Sequence, residues 1–318
     1  MTMKRSDRDG TVIEGSRAHW VENLVTRGLL SMVLALPYRW RVPFMGWLMS
    51  RVVGPLAGYN KRVRANLNFV HPELDEAAVS RLAREVTDNA GRTMIEIYSG
   101  REFIERMKDV EFRGAGAEQL FAARDAGRPV VLVTGHFGNY DVPRAALNAR
   151  GYPLGALYNP MKNPFFNAHY ERTIATIAEP LFARGLGGYG RMLRYLAQGN
   201  MVGILIDLHV KTAPYMDFFG KPARTALSAG EMAIKYDALL VPIYGVRGAD
   251  GLSFHVEVEA PIEKGSAEEM TQALNDSLAA IVARHMGQWF WIHRRWKPDQ
   301  YPPEIAAQVA GEQKKGGA

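Results

Sequence analysis

PVVLVTG (129–135), running into HFGNYDV (136–142), carries the chain from an apolar stretch to a glycine-flanked histidine and then to an aspartate. The apolar stretch reads as a short buried strand, and a helix follows from about residue 140. His136 and Asp141 therefore lie just beyond a strand's carboxyl end, where ligands sit in open α/β sheets. Gly135 and Gly138 let the backbone turn sharply and approach a substrate closely. The first amides of the helix can also face an anionic group. A histidine and an aspartate one helical turn later can meet as a pair. The aspartate would fix the tautomer and stabilise the imidazolium, leaving the other nitrogen as a general base for a hydroxyl. No serine or cysteine nucleophile is apparent beside them, so direct attack by the substrate hydroxyl fits better than a covalent intermediate. The same spacing is also that of a strand-end histidine followed by a first-turn acid favoured by the helix dipole.

The pattern around this stretch alternates strand and helix. PLGALYN (153–159), MVGILID (201–207), ALLVPIYGV (238–246) and LSFHVEVEAPI (252–262) read as further strands. Helical segments fall at 140–150, 164–178, 188–198 and 229–237. Buried apolar strands separated by helices predict a mainly parallel sheet covered on both faces. The turn-rich RGADG (247–251) predicts an antiparallel hairpin for the last two strands. Upstream, Leu82, Val86, Ala90, Met94, Ile97 and Ile104 recur at helical spacing over 75–107, with Asp75 as cap. A last helix near 267–286 places Met270, Leu274, Leu278, Ile281 and Val282 on one face. Ser228 and Glu231 have the S-x-x-E spacing of a capping box.

With 318 residues and 47% hydrophobic content, the chain can bury a full core. It has no cysteine, which excludes disulfides and thiolate zinc sites. A net charge of +6 and a pI near 9.4 suit an anionic partner: a phospholipid surface, nucleic acid or an acidic carrier protein. The stretches GLLSMVLALPY (28–38), VPFMGWLMS (42–50) and VVGPLAGYN (52–60) are each shorter than the roughly 20 residues that span a bilayer. Arg27, Arg39, Arg41, Arg51, Lys61, Arg62 and Arg64 frame them, and Trp20, Trp40 and Trp47 lie among them. That composition suits contact with a membrane interface without crossing it. The bland alternative is a helical hairpin packed on the domain. The expected organisation is a flexible N-terminus (1–17), an amphipathic, interfacial helical segment (18–70), an α/β domain (71–300) and a polar C-terminal tail (301–318).

Several blocks carry a family resemblance. His136 and Asp141 form H-x4-D, and RVRANLNFVHP (62–72) precedes them. YNPMKNPFFN (158–167), GNMVGILIDLH (199–209), DFFGKPART (217–225) and GQWFWIHRRWKP (287–298) follow in order. Together they resemble the lysophospholipid acyltransferase-like superfamily, and more narrowly the bacterial lipid A biosynthesis acyltransferases, over about residues 20 to 300. The resemblance implies a glycerolipid acyltransferase-like α/β fold, no cofactor, and an enzyme at the cytoplasmic face of a bacterial inner membrane. It implies transfer of a fatty acyl chain from an acyl-carrier-protein thioester to a hydroxyl of a lipid A precursor or similar glycolipid. His136 would be the base and Asp141 would orient it. Amides near Gly138 or a basic side chain would hold the oxyanion. Alternatives keep the chemistry with another lipid acceptor or an acyl-CoA donor, or make the chain a non-catalytic membrane-surface protein.

Further candidates flank the pair. Gly138 and Asn139 belong to its loop. Asp207 ends the third strand on the same rim and is expected to hold a loop or a sugar hydroxyl, or to be satisfied by nearby amides. The family has Gln after this aspartate; the chain has Leu208. Phe218 and Phe219 are expected as acyl-pocket walls or as a core pair, Gly220 as a turn, and Lys221 and Arg224 as headgroup or carrier contacts. In related enzymes a basic residue at the position of Arg184 helps hold the acceptor's phosphate. Asp207 and His209 have no evident third ligand, so no metal is expected. HRRWKP (293–298) is basic and aromatic, yet no nucleic-acid signature accompanies it. Trp289, Trp291 and Trp296 are expected to anchor the last segment on the core, with His293 to Arg295 near the active-site rim or the anionic membrane.

Overall fold

A computed structural model describes residues 4–6 and 12–315. Its centre is a seven-stranded sheet of β1 (Phe112–Arg113), β2 (Val130–Thr134), β3 (Leu154–Tyr158), β4 (Leu181–Ala183), β5 (Met201–Leu205), β6 (Leu239–Arg247) and β7 (Phe254–Val258). The strand order is β1-β7-β6-β2-β5-β3-β4. All neighbours are parallel except β6 and β7, which form the expected antiparallel hairpin. β2 is central, and every one of its residues is buried. Val131 and Val133 pack into the core on one face, while Val130 and Leu132 pack into the core on the other. This alternation is the two-residue period of a strand covered on both sides. β1 and β4 were not expected. Two and three residues long, they are too short to show any period.

The helix expected over 75–107 is two helices. The first spans Glu76–Tyr98, and Asp75 caps it by accepting from the Ala78 amide at 2.7 Å. The chain breaks at Gly100, whose φ is +54°, and restarts over Arg101–Met107. The capping box expected at Ser228 and Glu231 does not form: the helix Ser228–Tyr236 begins after Leu227 with no side-chain cap. A capping box stands instead at Ser266 and Glu269, before the helix Ala267–Arg284. That S-x-x-E was equally present in the sequence.

At the N-terminal side lie α1 (Arg17–Leu34) and α2 (Tyr38–Leu48), and α2 packs on Glu76–Tyr98. Arg41 on α2 is buried and donates to Glu102, Ser99 and the carbonyls of Leu34 and Leu36. The outer face of these helices is bare. Trp20, Leu24, Leu29, Met32, Trp40, Phe44 and Trp47 are all exposed. Among the described residues no helix is long and apolar enough to cross a membrane. Lys4–Ser6 pairs antiparallel with Val12–Glu14, and Pro303–Lys315 is helical where a tail was expected. Residues 1–3, 7–11 and 316–318, which belong to the expected flexible N-terminus and polar tail, lie outside the described residues.

The C-terminal aromatic block does anchor in the core. Trp289 and Trp291 are fully buried, and Phe218 packs against Trp289 and stacks on Trp296 with centroids 5.4 and 5.6 Å away. Gly220 turns the hairpin between Tyr215–Phe218 and Lys221–Arg224 with φ +66°. Phe218 is thus a core residue. Phe218→Ala should cost about 3–5 kcal/mol of stability, read as a lowered urea midpoint; a midpoint within experimental error of wild type would contradict this placement.

Candidate functional site

β2 and β5 are parallel neighbours with Thr134 opposite Leu205, so the residues just past their carboxyl ends are brought together. His136 and Asp207 are those residues. Asp207 Oδ1 lies 2.8 Å from His136 Nδ1, and Oδ2 accepts from the His136 amide at 2.6 Å and from Trp289 Nε1 at 2.9 Å. With Nδ1 donating to the carboxylate, the lone pair of the neutral ring is on Nε2. Asp207 is fully buried. Burial opposes its charge, but attraction to His136 and the hydrogen bonds from it outweigh that, holding the carboxyl well below its ordinary range.

Asp141 does not occupy that place. Its Oδ1 accepts from Arg144 Nε at 2.8 Å, and Arg144 also donates to the carbonyls of Ile174 and Ala178. Asp141 sits at the N-cap of the helix Val142–Ala149. Its carboxylate reaches its neighbour three residues along, on its own helix, while Asp207 fills His136 Nδ1. The carboxylate that meets His136 Nδ1 is therefore Asp207 and not the expected Asp141. Asp141 remains in the wall of a cavity that also reaches His136.

The loop between them is fixed by its own backbone. Gly138 has φ +53°, and a Cβ there would stand 1.9 Å from the Gly245 carbonyl oxygen of β6. Only glycine tolerates both conditions. Its amide donates to the Gln288 carbonyl at 2.9 Å, and the Asn139 amide donates to the Gly245 carbonyl at 3.2 Å. The amides of His136 and Phe137 are taken by Asp207 and the Gly135 carbonyl. The oxyanion donors expected near Gly138 are therefore not among these four amides. Asn139 is fully buried, donates to Glu96 Oε2 at 2.9 Å and accepts from the Asp141 amide. Its role is in the loop's frame.

The remaining candidates separate. Arg184, directly after β4, lines the same cavity as His136 and Asp141. Phe218, Phe219, Gly220 and Arg224 line neither cavity described here. Phe219 lies against Phe218 and Trp291, and Arg224 donates to the Ala213 carbonyl and covers the Tyr215 ring. Among the described residues no cluster of three or more His, Asp or Glu is arranged to hold a metal.

Three further contacts of His136 were not anticipated. Phe290 donates its amide to the His136 carbonyl at 2.9 Å. The ring of Tyr140 lies 5.3 Å from that of His136, and the His293 ring meets it edge-on at 4.5 Å. His293 was expected only near the rim. Arg295 is wholly buried, donating to the carbonyls of Leu208 and Arg224.

Two cavities converge on His136 and Tyr140. One, of about 670 Å³, runs over the sheet, where Leu132, Ala156 and Gly203 line it, to Arg184 and Asp141. The other, of about 950 Å³, lies between α1, α2 and the helix Glu76–Tyr98, and is lined by Leu29, Met32, Phe44, Met45, Met94 and Ile97. Leu29, Met32 and Phe44 are also among the exposed apolar side chains, so this cavity is continuous with the bare face. The arrangement offers an imidazole, a carboxylate held against it and two largely apolar recesses that meet at the imidazole.

The family described as bacterial lipid A biosynthesis acyltransferase matches residues 17–298. A lipid A biosynthesis acyltransferase of Haemophilus influenzae is 22% identical over 268 residues, 83% of each chain. Lipid A biosynthesis acyltransferase 2 of Shigella flexneri is 22% identical, over 86% of this chain and 91% of its own. A phosphatidylinositol mannoside acyltransferase of Mycolicibacterium smegmatis is 24% identical, over 57% of this chain and 61% of its own.

Burial pushes the His293 imidazole down from the usual 6.5 to about 4, with the neighbouring His136 acting in the same direction. A lowered folded value means that the unfolded chain binds more protons between those limits, so stability falls as pH falls through that window. Between pH 7 and pH 5 wild type should lose about 1–2 kcal/mol more than His293→Gln, measured by urea denaturation at both values. Parallel losses would remove His293 as the source.

Proposed function

The chain belongs to the bacterial lipid A biosynthesis acyltransferase family, and from that footing we propose that it moves a fatty acyl chain from a thioester donor to a hydroxyl of a lipid A precursor or similar glycolipid. The observation that carries this reading is the His136–Asp207 pair at the junction of two largely apolar cavities. His136 Nε2 takes the proton of the acceptor hydroxyl, and the oxygen attacks the thioester carbonyl. The tetrahedral intermediate collapses, the C–S bond breaks, and the leaving thiolate recovers the proton from the imidazolium. Asp207 holds the ring and offsets its transient charge.

The donor we favour is an acyl carrier protein, because a chain of net charge +6 suits an acidic carrier; acyl-CoA is the alternative thioester. The relatives named for phosphatidylinositol mannoside keep the acceptor open within the glycolipid class. Arg184, which lines the first cavity, is suited to an acceptor phosphate. The bare apolar face of α1 and α2, with Trp20, Trp40 and Trp47 on it, supports contact with the cytoplasmic face of a bacterial inner membrane. A non-catalytic membrane-surface protein would not require His136 to line both cavities, as it does.

His136→Ala should lower acyl transfer from acyl carrier protein or acyl-CoA to extracted glycolipid by roughly 10²–10⁴-fold, with an unchanged circular dichroism spectrum. Undiminished transfer would overturn the mechanism. Leu29→Glu combined with Met32→Glu should weaken flotation with anionic vesicles at least ~10-fold, since each apolar side chain withdrawn from water contributes about 1.5–3 kcal/mol. Equal flotation would remove this face from the membrane contact.

A further inference from the structure

Beneath the loop 136–139 lies a buried ion pair that the chemistry above does not use. Glu96, on the helix Glu76–Tyr98, is 0% exposed, and Arg247 ends β6 almost fully buried. Arg247 grips both Glu96 oxygens, Nη1 to Oε1 at 2.5 Å and Nη2 to Oε2 at 2.8 Å. Its other donors go to Asn89 Oδ1 at 2.8 Å, Thr93 Oγ1 at 3.2 Å and the Gly251 carbonyl at 3.0 Å. All five guanidinium N–H groups are thus used.

The groups that Arg247 orders are those that hold the loop. Asn89 Nδ2 donates to the Gly138 carbonyl at 3.0 Å and to the Gln288 carbonyl at 3.1 Å. Thr93 Oγ1 donates to the same Gly138 carbonyl at 2.8 Å. Glu96 Oε2 accepts from Asn139 Nδ2. The Gln288 side chain exchanges two hydrogen bonds with the Arg247 backbone, both at 2.9 Å. The acceptor side of Asn89 and the oxygen of Thr93 are occupied by Arg247, which leaves their donors pointing at the loop. Nothing in this cluster touches a reacting atom. A buried ion pair is weak evidence for stability, since well-packed apolar residues often serve as well. Here three bonds, from Asn89 and Thr93 to the Gly138 carbonyl and from Asn139 to Glu96, converge on the two residues that follow the His136–Phe137 turn.

We propose that Glu96 and Arg247 are positioning residues: through Asn89, Thr93 and Asn139 they fix the loop 136–139 and so aim His136. The role rests on His136 being the base. Arg247→Lys keeps the charge but cannot replace a planar five-donor group that reaches four partners.

The test combines kinetics with nuclear magnetic resonance of the full chain, selectively labelled with ¹⁵N-histidine. In wild type the Nδ1 proton of His136, shared with Asp207, is a downfield resonance assigned by its loss in His136→Gln. In Arg247→Lys we expect kcat to fall roughly 10–100-fold, KM for donor and acceptor to stay within about twofold, and this resonance to broaden or vanish. If kcat per folded molecule and the resonance are both unchanged while only the denaturation midpoint falls, the pair is merely structural and the proposal fails. Should Arg247→Lys not fold, Thr93→Val, which removes one donor to the Gly138 carbonyl and leaves the ion pair, must lower kcat and broaden the resonance; no change in either overturns the proposal. The resonance is read without substrate. A wild type inactive with every thioester and glycolipid therefore faults the reaction, while the resonance still decides the positioning role.

Discussion

The carboxylate of Asp207 is taken wholly out of water, and a charge in that position persists only where donors converge on it. Three do: the backbone and ring of His136 and the indole of Trp289. They come from two different parts of the fold. His136 is there because β2 and β5 are parallel neighbours in register. Trp289 is there because residues 287–290 lie along the end of β2, with Phe137 bridged to Trp289 and the Phe290 amide on the His136 carbonyl. Arg295 then ties the segment after Asp207 to the hairpin at 215–224 by donating to the Leu208 and Arg224 carbonyls. One buried carboxylate thus gathers a strand end, a loop and the C-terminal block around one imidazole.

The same requirement explains what was and was not legible in the sequence. Four of the five longer strands of the sheet were readable as apolar runs like VVLVT, and the fifth, FHVEV, by its place after the turn-rich RGADG. The edge strands Phe112–Arg113 and Leu181–Ala183 were not, since so few residues carry no period. His136 and Asp207 were both placed on the carboxyl rim. Their contact was not foreseen, because it spans 71 positions and depends on strand order, which periodicity does not encode. Spacing alone favoured the local partner Asp141, whose nearer cation, Arg144, lies three residues further along its own helix. In the same way Phe218 and Phe219 read locally either as pocket walls or as a core pair. The distant Trp289, Trp291 and Trp296 draw them into an aromatic cluster.

The cavities show how a sheet enzyme and an exposed helical face can be joined. The recess over the sheet exists where Ala156 and Gly203 leave the surface of β3 and β5 low. The second recess is roofed by α1 and α2, whose outer faces expose the large apolar side chains that a soluble surface rarely groups together. His136 stands where the two recesses meet. Two separate, largely apolar approaches thus end at one imidazole.

Whether Asp207 or Asp141 is the carboxylate that serves His136 is decided by comparing kcat for acyl transfer in Asp207→Asn and Asp141→Asn. Loss of the orienting carboxylate in a comparable His–Asp arrangement lowers kcat by about 10⁴-fold. That scale is expected for Asp207→Asn, with a much smaller loss for Asp141→Asn. The reverse order, with Asp207→Asn retaining near wild-type kcat, would contradict the account.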